Sequence, residues 1–487
     1  MEGKKMSRLS GEIEVNEASL RERLHPCSDV VYRSFQSGDD TKLLLVYVDG
    51  MISAESIEAQ LLKPLLFGGL PQGIDPVQSL AEMIRRQWLP LSNVQSETSL
   101  DGLVHGILQG SLALLIDGEA SSLLAQVQDF ETRSIQEPKK EATLRGSKEG
   151  FVESLRTNTT LLRRRIIHPD LKTESFTIGK YTRTEVVLVY MEGKAEEKVL
   201  STVREKLEAI EMDGIIDSSY IEEWIENRPF SIFSQIQNTE RPDIVAASLL
   251  EGKAAILVNG SPFALVLPVT LWSGLQSADD YFERFVFVIL MRFIRYTMTF
   301  ISFALPAMYV ALSTFHPEMI PNFLMISIAT ARESSPFPTV VEVFLMMFIF
   351  DALQEAGVHL PNQLGPVVSI IGALVIGQAA VEAGIISTPI IIVISLTGVA
   401  TYTIPRYSAT LPFRLIRYIM LLFSGFLGFV GFAFGMIFLL IHLVMLDSFG
   451  TPFLSPVAPF DGKRIKDVLI RYPLWAKSGS SRKGRPG

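Results

Sequence analysis

Two hydrophobic regimes follow one another along the chain. Up to about residue 280, apolar residues come in short runs between charged stretches; from Phe285 to Asp447 they are nearly continuous. In the front part, Leu44–Val48 and Val187–Met191 are aliphatic and β-branched runs closed by an acid–Gly pair, Asp49-Gly50 and Glu192-Gly193. Such runs predict strands that end in turns. Helical spacing follows each of them, in "SAESIEAQLLKPLL" and in "AEEKVLSTVREKLEAI". Further on, a helix-like segment leads to a strand, then to Asp117-Gly118 or Asn259-Gly260 and a partner run. Asp-Gly and Asn-Gly favour hairpins because both turn residues accept positive φ.

These pieces repeat. "LLVYVDG" (44–50) is echoed 143 residues later by "VLVYMEG" (187–193), and "LQGSLALLIDG" (108–118) 142 residues later by "LEGKAAILVNG" (250–260). The same order at nearly the same offset predicts an internal duplication: tandem α/β domains at 30–135 and 175–280, after a polar segment 1–29. The connection 136–174 is a charged linker that turns helical from Lys148, with Phe151, Leu155, Leu161 and Leu162 as its apolar positions. Arg163, Arg164 and Arg165 end that helix, where cations suit the dipole. They are expected to be a solvated helix end, with phosphate contact as the alternative.

The second regime predicts an α-helical polytopic membrane domain over 281–447, followed by a polar tail, 448–487. "YTMTFISFALPAMYVALSTF" (296–315) carries no charge and reaches about 30 Å as a helix, one bilayer core. Phe282, Phe285, Val286, Ile289 and Phe293 precede it at helical spacing beside three arginines, as in an interfacial helix. "RFIRY" (292–296) is echoed by "RLIRY" (414–418), each before an apolar run. Arginines at such borders mark the cytoplasmic side. The runs between are irregular, so transmembrane and re-entrant helices are both expected. Within 418–446, Gly425, Gly428, Gly431 and Gly435 form a small-residue face suited to helix contact. One helix there would cross once and put the tail outside; a hairpin would be short for two crossings. Both readings stay open.

Charge sharpens this division. Only thirteen of the 96 charged residues fall between Phe285 and Asp447, and no lysine lies between Lys253 and Lys463. The net charge of −8 gives no bulk attraction to nucleic acid. The first twenty residues lack an apolar core, so no signal peptide is expected and the front part should be cytoplasmic. The single cysteine, Cys27, agrees with a reducing compartment. No GxGxxG, Walker loop, HExxH or paired CxxC is present, so neither an enzyme nor a cofactor or metal site is expected. One polar pair stands out inside the apolar part: Gln378 and Glu382 in "GALVIGQAAVEAGIIS" (372–387). They are one turn apart on a helix. A charged carboxylate facing lipid is costly. Glu382 should therefore face a protein seam, a water-filled space or the outer interface. If its segment lines a pore, Val367, Ile370 and Leu374 would form an apolar constriction.

Several long motifs, in order, carry a resemblance: "LRGSKEGFVESLRTNTTLLRRRI", "LPAMYVALSTFHPEMIP", "SPFPTVVEVF", "LQEAGVHLPNQLG" and "GALVIGQAAVEAG". The chain resembles the A subunits of spore germinant receptors, the GerA family of endospore-forming bacteria, from about residue 30 to about 475. "RGSKEGF" has serine where the family usually has proline. The resemblance implies a protein of the spore inner membrane that works with a transporter-like B subunit and a lipoprotein C subunit. It implies a nutrient-sensing complex that triggers germination, with the A subunit oligomerising into a ligand-gated cation channel. A non-conducting scaffold or a secondary-transporter-like subunit of the same complex is the alternative.

Overall fold

The computed structural model describes residues 8–36, 41–52, 94–126, 145–333, 335–358 and 365–462, with a few isolated positions besides. The helix expected at 53–66 lies outside these residues. The chain divides into two compact units, residues 1–226 with 236–268, and 227–235 with 269–487.

The first unit holds two five-stranded antiparallel sheets. After α1 (Ile13–Arg23), the first sheet is built from β1 (Val30–Gln36), β2 (Lys42–Val48), β3 (Val94–Glu97), β4 (Leu112–Ile116) and β5 (Ser122–Ala125), with α2 (Leu100–Leu108) before β4. The helix α3 (Leu155–Arg165) leads to the second sheet. That sheet contains β6 (Leu171–Ile178), β7 (Thr184–Met191), β8 (Gln237–Thr239), β9 (Ala254–Val258) and β10 (Ala264–Leu267). Helices α4 (Glu197–Glu208), α5 (Ser218–Ile225) and α6 (Pro242–Leu250) lie between its strands in sequence. The strand orders are β1-β2-β4-β5-β3 and β6-β7-β9-β10-β8, the same path twice. Val46 pairs with Ala113 and Val189 with Ala255, so the two echoed runs hold equivalent central places.

Backbone geometry explains why these stretches echo each other. Gly110 and Gly252 both sit at φ 90° just after a helix, where the left-handed residue ends it. Gly118 and Gly260 take φ 88° and 89° in the turns after β4 and β9. A side chain is strained at such angles, so both copies need glycine at the same two points. The helix expected from Lys148 begins only at Leu155. Ser154 caps it by accepting from Thr157 N, while Phe151 is buried ahead of it.

The second unit is helical: α7 (Phe285–Val310), α8 (Asn322–Arg332), α9 (Thr339–Val358), α10 (Gly365–Glu382), α11 (Thr388–Tyr402) and α12 (Tyr407–Met445). Among the described residues, two helices are long and apolar enough to cross a membrane, Phe285–Phe315 and Tyr407–Met445. The second is not straight. Gly428 at φ 60°, ψ −138° breaks it, and the chain doubles back. Phe423 and Phe438 stack with ring centroids 6.0 Å apart, and Phe233 lies within 5.8 Å of Phe413 and 6.1 Å of His442. A straight helix would hold Phe413 and His442 about 43 Å apart. The arms 407–427 and 429–445 are about 31 and 25 Å long, so only the first reaches a full bilayer core. The question that the sequence left open thus resolves to a hairpin with a short second arm.

Contacts fix which helix ends lie together. Gly428 meets Phe315 and His316 beyond the end of α7, and Gly425 meets Val340 at the start of α9. Ser387, ahead of α11, donates its backbone N–H to Glu342 near the same end of α9. Lower down, Phe350 meets Gly398 and Leu353 meets Gly372. At the opposite end, Trp272 packs edge-on to Tyr296 and the Leu271 N–H reaches Phe453 O.

Candidate functional site

Charge is scarce in the helical unit, so each buried charge must be matched. Asp351 sits on α9 among Val343, Met346, Met347 and Phe350, which pack into an apolar cluster. Its carboxylate accepts two hydrogen bonds from one Arg417 nitrogen, at 2.7 and 2.8 Å, and one from the Tyr418 hydroxyl at 2.6 Å. The Arg414 Nε lies 3.4 Å away. Arg414 and Arg417 are three residues apart, hence on one helix face. The Arg417 side chain is 1% exposed, and its Nε has no hydrogen-bond partner. Two guanidiniums on one carboxylate leave a local excess of one positive charge.

The other arginine string repeats this construction. Arg292 and Arg295 of α7 both bind Asp280, with contacts at 3.2, 2.9 and 3.0 Å, and the Tyr296 hydroxyl donates to Val468 O. Arginines beside an apolar run are expected to mark the cytoplasmic side. The structure adds a second role: Arg292 and Arg417 are buried, and each Arg-x-Ile-Arg-Tyr string clamps one aspartate from another segment. The repeated string was the available signal. What it lacked was the partner, because Asp280 and Asp351 lie at unrelated distances along the chain.

Glu342 is buried as well, 0% exposed. One carboxylate oxygen accepts from Ser387 N at 2.8 Å, at the positive end of α11. Gln378 and Glu382 differ from all of these. Both are exposed on α10, and the Gln378 amide donates to Glu382 at 3.1 Å. The pair therefore does share a face, and that face points away from the rest of its own unit. The side chains of Val367, Ile370 and Leu374 lie outside the described residues. Of the glycine face, Gly428, Gly431 and Gly435 are buried and close the hairpin on itself, while Gly425 meets α9.

In the α/β unit a buried pair ties the residue just ahead of β1 to the end of α3. Arg163 binds Asp29 through Nε at 2.7 Å and a terminal nitrogen at 2.9 Å, and donates to Leu171 O at 2.8 Å. Thr173 donates to the same carboxylate at 2.8 Å. The arginine triplet is thus not simply a solvated end: Arg163 is fully buried, while Arg165 binds Glu149. The signal missed was the lone Asp29 beside Cys27, which no spacing connects to residue 163. Burial alone would raise the Asp29 carboxyl, but Arg163 and Thr173 hold it below its usual value near 3.8. Burial pushes the Cys27 thiol up, which lowers its thiolate fraction at neutral pH. Because the folded carboxyl is depressed, its stabilisation is complete above the unfolded value near 3.8 and is lost as pH falls through the lower folded value. Asp29→Asn should cost about 3–5 kcal/mol at neutral pH and flatten the acid limb below pH ~4. Acid titration followed by tryptophan fluorescence checks this; an unchanged acid limb refutes the assignment.

Over residues 18–483 the chain matches the family model described as Bacillus/Clostridium GerA spore germination protein. It is 42% identical to the uncharacterized membrane protein YfkQ of Bacillus subtilis, over 96% of this chain and 90% of that one. It is 41% identical to spore germination protein KA of Bacillus subtilis, over 96% and 86%. The crystal structure of the N-terminal domain of the A subunit of the Bacillus megaterium spore germinant receptor GerK3 is 31% identical. That match covers 54% of this chain and 98% of the domain, with a TM-score of 0.43.

Proposed function

The chain belongs to the GerA family of spore germination proteins, and we propose that it is the A subunit of a nutrient germinant receptor whose copies assemble around a cation path lined by α10. In this reading α7, α9, α10, α11 and the two arms of α12 make six passes, with α8 at the far interface. An even number of passes returns the chain to its starting side, so the front unit and the tail share the cytoplasm. Re-entry of the short second arm is compatible with this, since its backbone is packed against its own first arm.

The observation that carries the proposal is the exposed Gln378–Glu382 pair on an otherwise apolar helix. Two carboxylates of α9 turn inward instead: Asp351 is paired with arginine, and one oxygen of Glu342 accepts from Ser387 N. A carboxylate turned outward in a membrane needs water or a partner copy. The interior of a single unit is a poor cation route, because the Arg414–Asp351–Arg417 cluster is net positive there. A path between copies avoids that barrier, and a ring of Glu382 carboxylates would concentrate cations at its mouth. The transporter-like B subunit and the lipoprotein C subunit complete the assembly in the spore inner membrane, where the B subunit takes the nutrient.

Reconstitution of the complex in liposomes with a cation-flux readout tests this. Glu382→Gln should keep the complex assembled and lower nutrient-triggered cation flux about tenfold, about 1.4 kcal/mol of barrier. Parent-like flux from an assembled Glu382→Gln complex refutes α10 as the path. If Glu382→Ala then also abolishes assembly, the residue is a lock between copies and the subunit a scaffold.

A further inference from the structure

Residues 227–235, "NRPFSIFSQ", form a braced loop at the base of the α12 hairpin. Phe233 anchors it, buried between Phe413, His442 and Phe453. The Gln235 side chain accepts from the N–H groups of Asn227 and Arg228 and donates to Arg228 O. Ser231 Oγ lies 3.1 Å from His442 Nε2, and the Asn227 amide donates to Asp447 at 2.9 Å. The loop is held at all these points, yet it presents the Phe230 ring fully to the outside. Between the loop and the last turns of the second arm runs an open cleft of about 560 Å³. Arg228, His442 and Asp447 line its polar side, and Phe230 and Met445 its apolar side.

The surroundings say what covers Phe230. Ile441, Val444 and Met445 are exposed and continue the apolar surface of the second arm up to the loop. Where that surface ends, an aromatic ring and an arginine stand side by side. Aromatic rings and arginines are the residues that settle at the border between hydrocarbon and headgroups. We propose that residues 228–232 are an interfacial anchor, and that the cleft seats one phospholipid, with its phosphate on Arg228 and His442 and its acyl chains along Ile441–Met445. Asp447 keeps its negative charge at the edge of the cleft, with one oxygen accepting from Asn227 and from Gly450 N at 3.2 Å, so the Arg228 guanidinium has to outweigh its repulsion of the phosphate. A planar guanidinium matches phosphate geometry, and the neighbouring imidazole, whose Nε2 already meets Ser231 Oγ, has Nδ1 left to offer.

The inference rests on α12 lying in a membrane, so its test reads the two separately. With Cys27→Ser the full chain has no cysteine. A spin label is then attached at Phe230→Cys, and in a second preparation at Leu440→Cys on the exposed face of the second arm. Each is reconstituted in vesicles of phosphatidylglycerol and phosphatidylethanolamine, and collisions with oxygen and with a water-soluble nickel chelate are compared. The expected result is oxygen-dominated relaxation at both positions, shallower at 230. Nickel-dominated relaxation at 230 with oxygen at 440 overturns the anchor and leaves the membrane reading standing. Nickel at both positions overturns the membrane reading itself. Shielding from both probes at 230 means that protein covers the loop, and the proposal fails. For the headgroup, Arg228→Gln should lose one tightly retained phospholipid in native mass spectrometry of the purified chain, and Arg228→Lys should keep most of it. Unchanged retention in Arg228→Gln overturns the phosphate assignment.

Discussion

Asp351→Ala should destabilise the helical unit by about 3–5 kcal/mol, because it leaves Arg417 charged, 1% exposed and without its counter-ion. The Tyr418 hydroxyl loses its acceptor in the same step. The effect is readable as lower yield in membranes and a lower thermal midpoint of the full chain in detergent. Asp351→Asn should fall between, since its carbonyl oxygen still accepts from a guanidinium while the charge is gone. Arg414→Gln should cost far less, because Arg414 stands farther off at 3.4 Å and its removal relieves the positive excess. The double substitution Asp351→Leu with Arg417→Met should recover much of the loss, because apolar groups of similar size replace a buried pair with little penalty. A parent-like Asp351→Ala chain would mean that water reaches Arg417 and that the cluster is not closed.

How much of this was legible in the sequence depends on the reach of each interaction. The repeat was legible because turns are local. Gly110 and Gly252, or Gly118 and Gly260, require the same φ at the same step of the path, and glycine is what supplies it. The shared helical face of Gln378 and Glu382 was legible for the same reason, being a contact at four residues. The buried pairs were not. Asp29 meets Arg163 across 134 positions and Asp351 meets Arg417 across 66, and nothing in the strings between them records it. Arginine beside an apolar run reads as a border on composition alone. It becomes an interior group only when a distant carboxylate arrives to pair with it. The linker helix was placed early because Phe151 fits the apolar spacing, but that residue is buried before the helix starts at Leu155.

The α12 glycines should respond to alanine in a definite order, set by what each new methyl group meets. At Gly431 it would stand 1.9 Å from the Phe423 carbonyl oxygen and 2.5 Å from its carbon. Both are backbone atoms of the opposite arm, so the arms must part, and the packing that spans Met420, Phe423, Gly435 and Phe438 goes with them. The cost should exceed the ~1–3 kcal/mol usual for overpacking. At Gly428 the methyl group meets Phe315 Cβ at 2.8 Å, and φ 60°, ψ −138° is a backbone state that a side chain rarely adopts, adding about 1–3 kcal/mol of strain. At Gly435 the nearest atom is Met420 Sδ at 2.5 Å, on a flexible side chain that moves aside, and at Gly425 it is a Val340 methyl at 3.0 Å. Thermal midpoints of the four alanine variants in detergent should therefore fall most for Gly431, then Gly428, then Gly435 and Gly425. A neutral Gly431→Ala beside a damaging Gly425→Ala would mean that the two arms do not meet. In the proposed topology the consequence is also directional: only a closed reversal at Gly428 brings residues after Met445 back to the side of Tyr407, so Gly431→Ala should expose a label at position 457 to the opposite face in a fraction of the molecules.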